Sequence, residues 1–384
     1  MQWHLNGIDA YFIFTHKKND LKTMAKVNFI VSFLLAIVML ASCSNVAKKS
    51  IEDLTEENIQ GTLLHPDDKC IGAYPRLITQ DFWLSQVYRD DVNCCICVQD
   101  GDSLLAKRNV FNRGKGRGEY DDVSFALSSD GALGVLNYAN GNQLLSFSSF
   151  PKSDLNRLDF SKGQRFDLTK LPSIRFATNS FQVLSDSTIL LPGAPFSQAG
   201  HLFSIIDFKN LKAETLDFWP QDKFAGDSLS KHSVYTDNSR IFKSKDRFLY
   251  LCGWERYAFI FSIDKNKVEV KSELFSVKPE YKEASDGNYE LLKNSGKRLA
   301  IDVDEDAIYV LMIEKNLYGK TPKNYMESQY GNEIQVYDWD GNPIRRIALD
   351  KVGSSIKISA DKKNLYLFSE NPKTKADEIW MYNL

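Results

Sequence analysis

The stretch FNRGKGRGEYDDV, residues 111–123, combines three glycines with three basic and three acidic residues, and it looks more like a ligand loop than any other segment. Loops that hold phosphate groups have the spacing G-x-x-x-x-G-K-[ST] or G-x-G-x-x-G, followed by a helix. Neither spacing is present, and Glu119, Asp121 and Asp122 offset the local positive charge. We therefore predict a turn, in which alternate glycines permit positive φ angles.

Two histidines and one tryptophan are candidates for a ligand face. His201 follows the sequence PGAPFSQAG and His232 lies in SLSKHSVY, and both are predicted in loops. If these loops share one entrance, either imidazole could act as a base or a ligand, with Asp227 or Asp237 as its partner. Trp254 could line the same face, although packing between sheets is the other interpretation. No G-x-S-x-G motif accompanies them, so no catalytic residue is predicted.

Two patterns in the sequence resemble metal-binding motifs, but each lacks residues that the motif requires. Asp302, Asp304 and Asp306 have the spacing of acidic ligands in a calcium-binding loop. Ala307 stands where that loop needs a glycine for its turn, and Ile313 stands where it needs a final glutamate. We therefore predict a solvated hairpin. The sequence NCCICV lacks the paired CxxC motifs of a zinc site. We predict no metal and no cofactor.

The cysteines are predicted to be buried small apolar residues. Strand alternation sends Cys95 and Cys97 to one face and Cys94 to the other. Five cysteines besides Cys43 cannot all pair, so at least one thiol stays free or bonds between chains. A disulfide between Cys70 and a member of this cluster remains open for an exported protein.

The amino terminus predicts export and a lipid anchor. Residues 27–42 form an apolar run that follows Lys26 and ends in small residues before Cys43, as in a secretory signal. The sequence LASC resembles the lipobox of bacterial lipoproteins, which makes Cys43 the predicted lipid-attachment residue. A short membrane anchor is the alternative. We predict a leader at 1–42 with its true start at Met24, a lipid-anchored tether at 43–57, and a single domain at 58–384.

Six repeats of strand, polar turn and strand fill the remainder of the chain. The first strong apolar residues of the second strands are spaced by 51 to 60 residues. These landmarks are Phe82, Leu133, Ile189, Phe248, Ile308 and Leu365. The clearest repeat contains four strands, RLAIDV, AIYVLMIE, EIQVYDW and PIRRIAL, with a hairpin signal at DGN. The pattern predicts an all-β, six-bladed β-propeller of four-stranded antiparallel blades.

The last repeat has three strands, so the ring is predicted to close with a strand from the start of the domain. The segment IQGTLLH, residues 59–65, is the predicted donor. Closure in this way removes exposed sheet edges. A seven-bladed ring is the alternative if the insertion KTPKNYMESQYG contains further strands.

A family resemblance supports this architecture. The segment GKGRGEY is similar to the G-x-G-x-G-E-[FY] signature at blade junctions of six-bladed NHL-like and TolB-like propeller lipoproteins of the Bacteroidetes. The matching residues are Gly114, Gly116, Gly118 and Glu119, whereas Arg117 stands where the usual form has proline. The resemblance implies the six-bladed fold and does not imply a substrate.

Charge and composition narrow the possible classes of function. The residues after the leader contain 44 Lys and Arg against 48 Asp and Glu, which gives no basic field for nucleic acid. We predict an envelope lipoprotein, placed at the outer membrane by resemblance, that binds a peptide, glycan or protein partner through face loops without catalysis. The alternative is a metal-assisted hydrolase or lactonase with acidic and amide side chains converging on the central channel. The ligand, orientation and oligomeric state are left open.

Overall fold

The part of the chain that the structure describes consists mainly of β-strands. A computed structural model describes residues 50–384 apart from 67–73, 90–91, 115–118, 140–142, 158, 162, 173, 177–179, 224–227, 285–287, 294–297, 315–329, 372–373 and 375. The described helices are short: α1 is Lys152–Leu155 and α2 is Ser228–Thr236, with single 3-10 turns at Ile51–Asp53 and Phe196–Gln198. The predicted leader and Cys43 lie outside the described residues.

Two strands precede the first repeat, and the next eight form two four-stranded sheets. The preceding strands are β1 (Glu56–Ile59) and β2 (Thr62–Pro66). Blade one comprises β3 (Tyr74–Ile78), β4 (Trp83–Arg89), β5 (Val92–Asp100) and β6 (Ser103–Asn112). Blade two comprises β7 (Asp122–Leu127), β8 (Leu133–Ala139), β9 (Gln143–Phe150) and β10 (Gln164–Asp167).

Blades three and four follow the same antiparallel order. In blade three the inner strand is in two pieces, β11 (Ile174–Phe176) and β12 (Gln182–Val183), followed by β13 (Thr188–Pro195), β14 (Phe203–Asp207) and β15 (Lys212–Thr215). Blade four comprises β16 (Arg240–Ser244), β17 (Arg247–Leu251), β18 (Tyr257–Asp264) and β19 (Lys267–Ser276).

The last blades are separated from blade four by a hairpin, β20 (Glu280–Glu283) and β21 (Tyr289–Lys293). Blade five comprises β22 (Arg298–Val303), β23 (Ala307–Glu314), β24 (Tyr330–Asp338) and β25 (Pro343–Gly353). Blade six comprises β26 (Ser355–Ile358), β27 (Asn364–Glu370), β28 (Asp377–Asn383) and then β2. The prediction of six four-stranded blades is confirmed. The insertion considered for a seventh blade falls mostly at 315–329, outside the described residues.

The first strands of successive blades are neighbours in space. Contacts join β3 to β7, β7 to β12, β12 to β16, β16 to β22, and β22 to β26. The first strand of each blade therefore lies innermost, beside a central channel, and the fourth strand lies at the perimeter. Each sequence landmark lies in the second strand of its blade, except Phe82, which immediately precedes β4.

Strand β2 closes the ring, as predicted. It pairs antiparallel with β28, where Leu64 lies opposite Ile379, and its end continues onto β6 of blade one, where His65 lies opposite Ser103. Leu64 is 1% exposed and packs among side chains of blades one and six. The rings of Trp83 and Tyr366 lie 4.6 Å apart across the same junction.

Strand β1 makes a contact that the repeats do not predict. It adds in parallel to β25, the outer strand of blade five, and Glu57 lies 2.7 Å from the Arg345 guanidinium. Strand β1 begins at Glu56, two residues before the predicted domain boundary at 58, and it lies outside the four-strand repeat.

The apolar core lies between adjacent blades. Blades two and three share a cluster in which the rings of Phe147 and Phe208 stack at 4.3 Å. Blades three and four share another, in which the rings of Phe203 and Phe261 stack at 4.9 Å. Because each strand presents alternate residues to its two neighbouring blades, every blade is stabilised from both sides.

Candidate functional site

The two ends of the ring carry different connections. In an antiparallel blade, the crossover to the next blade and the connection between the second and third strands emerge at the same end. We call this end the loop end, and the opposite end the turn end. Connections at the turn end are mostly tight, for example 101–102, 245–246, 265–266 and 304–306. The longest described one there is 151–163, which contains α1.

The loop end carries two additional elements beside blade four. Helix α2 lies in the crossover between β15 and β16, and the hairpin β20–β21 lies in the crossover between β19 and β22. The Ser230 hydroxyl donates to the Asn288 carbonyl at 2.7 Å, and the Tyr289 hydroxyl donates to Asp237 Oδ2 at 2.9 Å. These hydrogen bonds fix helix and hairpin to each other, and we call the pair the loop-end cap.

His232 lies in α2, so the prediction that it is in a loop is wrong. Its side chain is 1% exposed, and its ring stacks on that of Trp219 with centroids 6.2 Å apart. The helix SLSKHSVYT is rich in residues with weak helix propensity, which is why the sequence resembles a loop. Tertiary packing stabilises the helix, since Val234 and Tyr235 are also fully buried.

Trp254 lies at the loop end between β17 and β18, where it is half-buried. The Arg298 guanidinium lies 5.2 Å from its ring centroid, and the ring of Tyr289 lies 6.2 Å away. Burial lowers the pKa of Arg298 to about 10, while the negative charge of Glu255 opposes this shift. Trp254 therefore joins blade four to the loop-end cap and to blade five.

His201 lies at the loop end between β13 and β14. Its Nδ1 lies 3.0 Å from the carbonyl oxygen of Leu216, so this nitrogen carries the proton and donates. The imidazole is half-buried. The three predicted face residues thus share one end of the ring, but the described contacts bring only His232 and Trp254 to the loop-end cap.

The strands that line the central channel are more basic than the chain as a whole. The inner strands β3, β7, β12, β16, β22 and β26 carry two acidic residues and five basic ones. These are Asp122, Asp302, Arg76, Arg240, Lys243, Arg298 and Lys357. Burial and the positive charge of Arg76 lower the pKa of Arg240 to about 10, and Asp302 opposes that shift. The sequence alone does not reveal this feature because it does not show which strands lie innermost.

The acidic triplet that resembled a calcium loop has other hydrogen-bond partners. Asp302 accepts hydrogen bonds from Lys357 Nζ at 2.9 Å and from the Ile358 amide at 2.8 Å. Asp304 caps the hairpin turn through the Asp306 and Ala307 amides. Within the described residues, no group of three His, Cys, Asp or Glu side chains could hold a metal ion.

The glycine-rich stretch lies between β6 and β7, at the junction of blades one and two. The Tyr120 amide donates to the Asn112 carbonyl at 2.9 Å, and the Gly114 amide donates to the Tyr120 carbonyl at 3.0 Å. These bonds fasten the two ends of the stretch together. A side chain at Gly114 would meet the carboxylate of Glu119, so glycine and glutamate fit each other here. Gly116 and Gly118 lie outside the described residues.

A cavity of about 390 Å³ lies beside this junction, between β6 and the outer half of blade two. Phe111, Tyr120, Phe150 and Phe160 supply aromatic surface, and Arg108 and Arg165 supply positive charge. The amides of Asn109 and Asn112, the hydroxyls of Ser148 and Ser161, and Val110 and Gly163 complete the lining. The signal in the sequence was Tyr120 at the end of the junction motif, but its distant partners could not be identified without the fold.

The described cysteines are buried thiols, as predicted. Cys95 and Cys97 lie in the cluster between blades one and six, whereas Cys94 faces blade two. Cys94 and Cys252 are free, and the sulfur atoms of Cys95 and Cys97 lie 3.5 Å apart. Burial raises the pKa of Cys94, and it raises that of Cys252 to about 11, so neither thiol is activated as a nucleophile. Cys70 lies outside the described residues.

Comparison with known families agrees with the sheet order. A family model described as TolB-like, 6-blade propeller-like matches residues 260–361, which extend from blade four into blade six. The matched residues include all four strands of blade five, and the ring of blades closes through β2. The chain is a six-bladed β-propeller. The family model covers about a quarter of the chain, and no curated protein matches this chain.

Solved structures resemble the propeller over most of its length at low sequence identity. The RRP9 WD40 repeats are 10% identical, with 84% of this chain and 97% of that chain covered and a TM-score of 0.41. The protein XC5397 from Xanthomonas campestris, described as a gluconolactonase, is 12% identical over 84% and 98%, with a TM-score of 0.38. YCF48 bound to D1 peptide is 8% identical over 84% and 98%, with a TM-score of 0.36. Similarity at this level carries no argument about activity.

Replacing Gly114 by alanine is expected to destabilise the propeller by about 1–3 kcal/mol. The new Cβ would overlap the carboxylate of Glu119, and φ at this position is +156°. Urea unfolding measures the loss. The double variant Gly114→Ala/Glu119→Ala should be more stable than Gly114→Ala alone, since it removes the overlap. A double variant that loses the sum of the two single effects would show that the two residues do not interact.

None of the helices in the described part of the propeller is both long and apolar enough to cross a membrane.

Proposed function

We propose that this propeller is a non-catalytic binding or assembly module of the cell envelope. It is anchored by lipid on Cys43 and holds a peptide, glycan or protein partner at its loop end. The observation that carries the proposal is the difference between the two ends: α2 and the hairpin β20–β21 both lie at the loop end, whereas most turn-end connections are tight. Binding residues concentrate on loops that a rigid scaffold positions.

The loop-end cap is attached firmly enough to present a surface of fixed shape. The Tyr235 hydroxyl donates to Asp222 Oδ2 at 2.9 Å, and Lys231 Nζ lies 3.6 Å from the other carboxylate oxygen. The Lys231 ammonium also lies 5.1 Å from the ring centroid of Trp219. A preordered surface loses less conformational entropy when a partner binds, so this packing supports a recognition role.

The proposed anchor would keep the propeller close to a membrane. Cys43 precedes β1 by 13 residues, which extend at most about 45 Å. Strand β1 is itself fixed to blade five through its pairing with β25 and the ion pair between Glu57 and Arg345. By resemblance to lipoproteins with Ser44 and Asn45 after the cysteine, the membrane would be the outer one.

Replacing Cys43 by alanine tests the anchor. We expect the wild-type protein in the membrane fraction and the Cys43→Ala variant in the soluble fraction, because the variant lacks the residue that would carry the acyl chains. Mass spectrometry of the wild-type amino-terminal peptide should show an acylated Cys43. An unacylated Cys43 in the wild-type amino-terminal peptide would contradict a lipid anchor.

Photocrosslinking in intact cells tests the binding face. A photoreactive amino acid is placed at Gln198 or Gln221 on the loop end, and at Asp264 or Asp100 on the turn end as matched controls, since all four positions are exposed. We expect discrete adducts from the loop end that the turn end does not give. Equal labelling from both ends would refute the proposed face, and metal-dependent lactone hydrolysis by the purified protein would refute a non-catalytic role.

A further inference from the structure

The floor of the cavity between blades one and two is a concave cluster of aromatic rings. The Phe111 ring centroid lies 5.0 Å from that of Tyr120, 5.9 Å from Phe150 and 5.3 Å from Phe160, and all three pairs meet edge to face. Phe160 is half-buried, whereas the other three rings are at least nine-tenths buried. Such a floor suits an apolar side chain that contacts several ring edges and faces together.

Phe111 is held in an uncommon backbone conformation at this floor. Its φ is +57°, in the left-handed region that bulky residues rarely occupy. Conformations of this kind are strained and persist where the surrounding structure enforces them, often at binding sites. The hydrogen bond from the Tyr120 amide to the Asn112 carbonyl fixes the chain immediately after Phe111. The junction motif thus positions two of the four floor rings.

Arg165 is a preordered cation at the edge of this floor. It lies on β10, its Nε donates to Ser146 Oγ at 3.0 Å, and its guanidinium carbon lies 5.2 Å from the Tyr120 ring centroid. Within the described residues, Nε is the one nitrogen of this guanidinium with a hydrogen-bond partner. The two terminal nitrogens therefore form a planar pair of donors, which matches the geometry of a carboxylate.

The positive charge of the lining favours an anionic ligand, and the aromatic floor favours a peptide side chain over a sugar. Arg108 and Arg165 line the cavity together with amides and hydroxyls, and none of the described lining residues is acidic. The floor has one hydroxyl of its own, that of Tyr120, and it lies 3.3 Å from Ser148 Oγ. Sugar hydroxyls that face the aromatic floor would lack hydrogen-bond partners there, whereas an apolar side chain needs none on this floor.

We propose that this cavity binds the carboxyl-terminal residue of a peptide. The terminal carboxylate pairs with the Arg165 guanidinium, and an aromatic or long aliphatic side chain packs against Phe160 and the exposed edges of Phe111 and Tyr120. A volume of about 390 Å³ accommodates one such residue with part of its neighbour. The site lies between β6 and blade two, so it is separate from the loop-end cap, and its test does not depend on the crosslinking result.

Calorimetric titration of the purified propeller with N-acetyl-phenylalanine provides the test. We expect saturable binding, and binding at least about tenfold weaker for both N-acetyl-phenylalaninamide, which lacks the carboxylate, and N-acetylglycine, which lacks the side chain. Glucuronic acid represents the competing class of acidic sugar and should not bind. Tighter binding of glucuronic acid than of N-acetyl-phenylalanine would overturn the proposal, as would no binding of N-acetyl-phenylalanine.

Variants locate the binding site. Arg165→Met should weaken binding at least about tenfold because it removes the paired donors and keeps the aliphatic stem. Lys212→Met removes one exposed positive charge from blade three and should leave affinity unchanged. Ser161→Trp, at an exposed rim position, should block the cavity without disturbing the core. Unchanged affinity in both Arg165→Met and Ser161→Trp, with wild-type melting temperatures, would contradict this site.

Discussion

A chain that lacks residues 50–66 is expected to lose the cooperative unfolding transition of the full propeller. This deletion removes β2, which supplies the fourth strand of blade six and links it to blade one. Without it, the outer edge of β28 is unpaired, and the buried surface around Leu64 opens to water. Open sheet edges of this kind also promote association between chains. Circular dichroism during heating, with sedimentation to detect aggregates, measures the outcome.

Control variants distinguish the loss of β2 from the mere shortening of the chain. Deletion of residues 50–54 alone should retain the transition, because it spares both β1 and β2. Within β2, Leu64→Ala should cost about 2–5 kcal/mol, since Leu64 is 1% exposed. Its neighbour Leu63 is half-buried and faces the other side of the strand, so Leu63→Ala should cost less. Equal costs for the two leucines would show that β2 does not pack as described.

Replacing Asp302 by alanine is expected to destabilise the propeller by about 3–5 kcal/mol. Asp302 is 9% exposed and accepts hydrogen bonds from Lys357 and from the Ile358 amide, so it joins the inner strands of blades five and six. The variant would leave the Lys357 ammonium poorly solvated in a channel already rich in cations. Chemical denaturation with urea measures the difference in free energy of unfolding.

Asp306 provides the control for this prediction. It pairs with Lys362 at 2.6 Å, also between blades five and six, but its side chain is 71% exposed. Solvent screening reduces such a pair to at most about 1 kcal/mol, so Asp306→Ala should be close to wild type. If Asp302→Ala and Asp306→Ala were equally mild, the Asp302 contact would not stabilise the inner channel.

The repeat could be predicted from sequence because its signals are local. Each blade contains a hairpin whose apolar strands flank a polar turn, and the landmarks from Leu133 to Leu365 lie in second strands. The closure of the ring could also be predicted from sequence. The last repeat contains three strands, and the segment at 59–65 has a strand-like sequence that belongs to none of the repeats. Both inferences rest on strand patterns that can each be recognised within a single short segment.

The candidate sites were less predictable because they depend on contacts between distant segments. His232 was placed in a loop, although packing against Trp219 buries it within a helix of weak propensity. The cavity joins Tyr120 to Arg165, which are 45 positions apart, and it needs the unusual φ of Phe111. The parallel addition of β1 to β25 likewise follows from tertiary structure, since no repeat calls for a fifth strand there.

Disulfide crosslinking between the first and last strands tests the central claim most directly. Thr62 lies opposite Met381 in the pairing of β2 with β28, and opposed residues of this kind are close enough for a disulfide. The double variant Thr62→Cys/Met381→Cys should form that bond within one chain, as seen by peptide mass spectrometry. Thr62→Cys/Ser355→Cys, three strands apart in the same blade, should not. A bond in the second variant, or a bond in the first that joins two chains, would contradict a ring closed by its own amino-terminal strand.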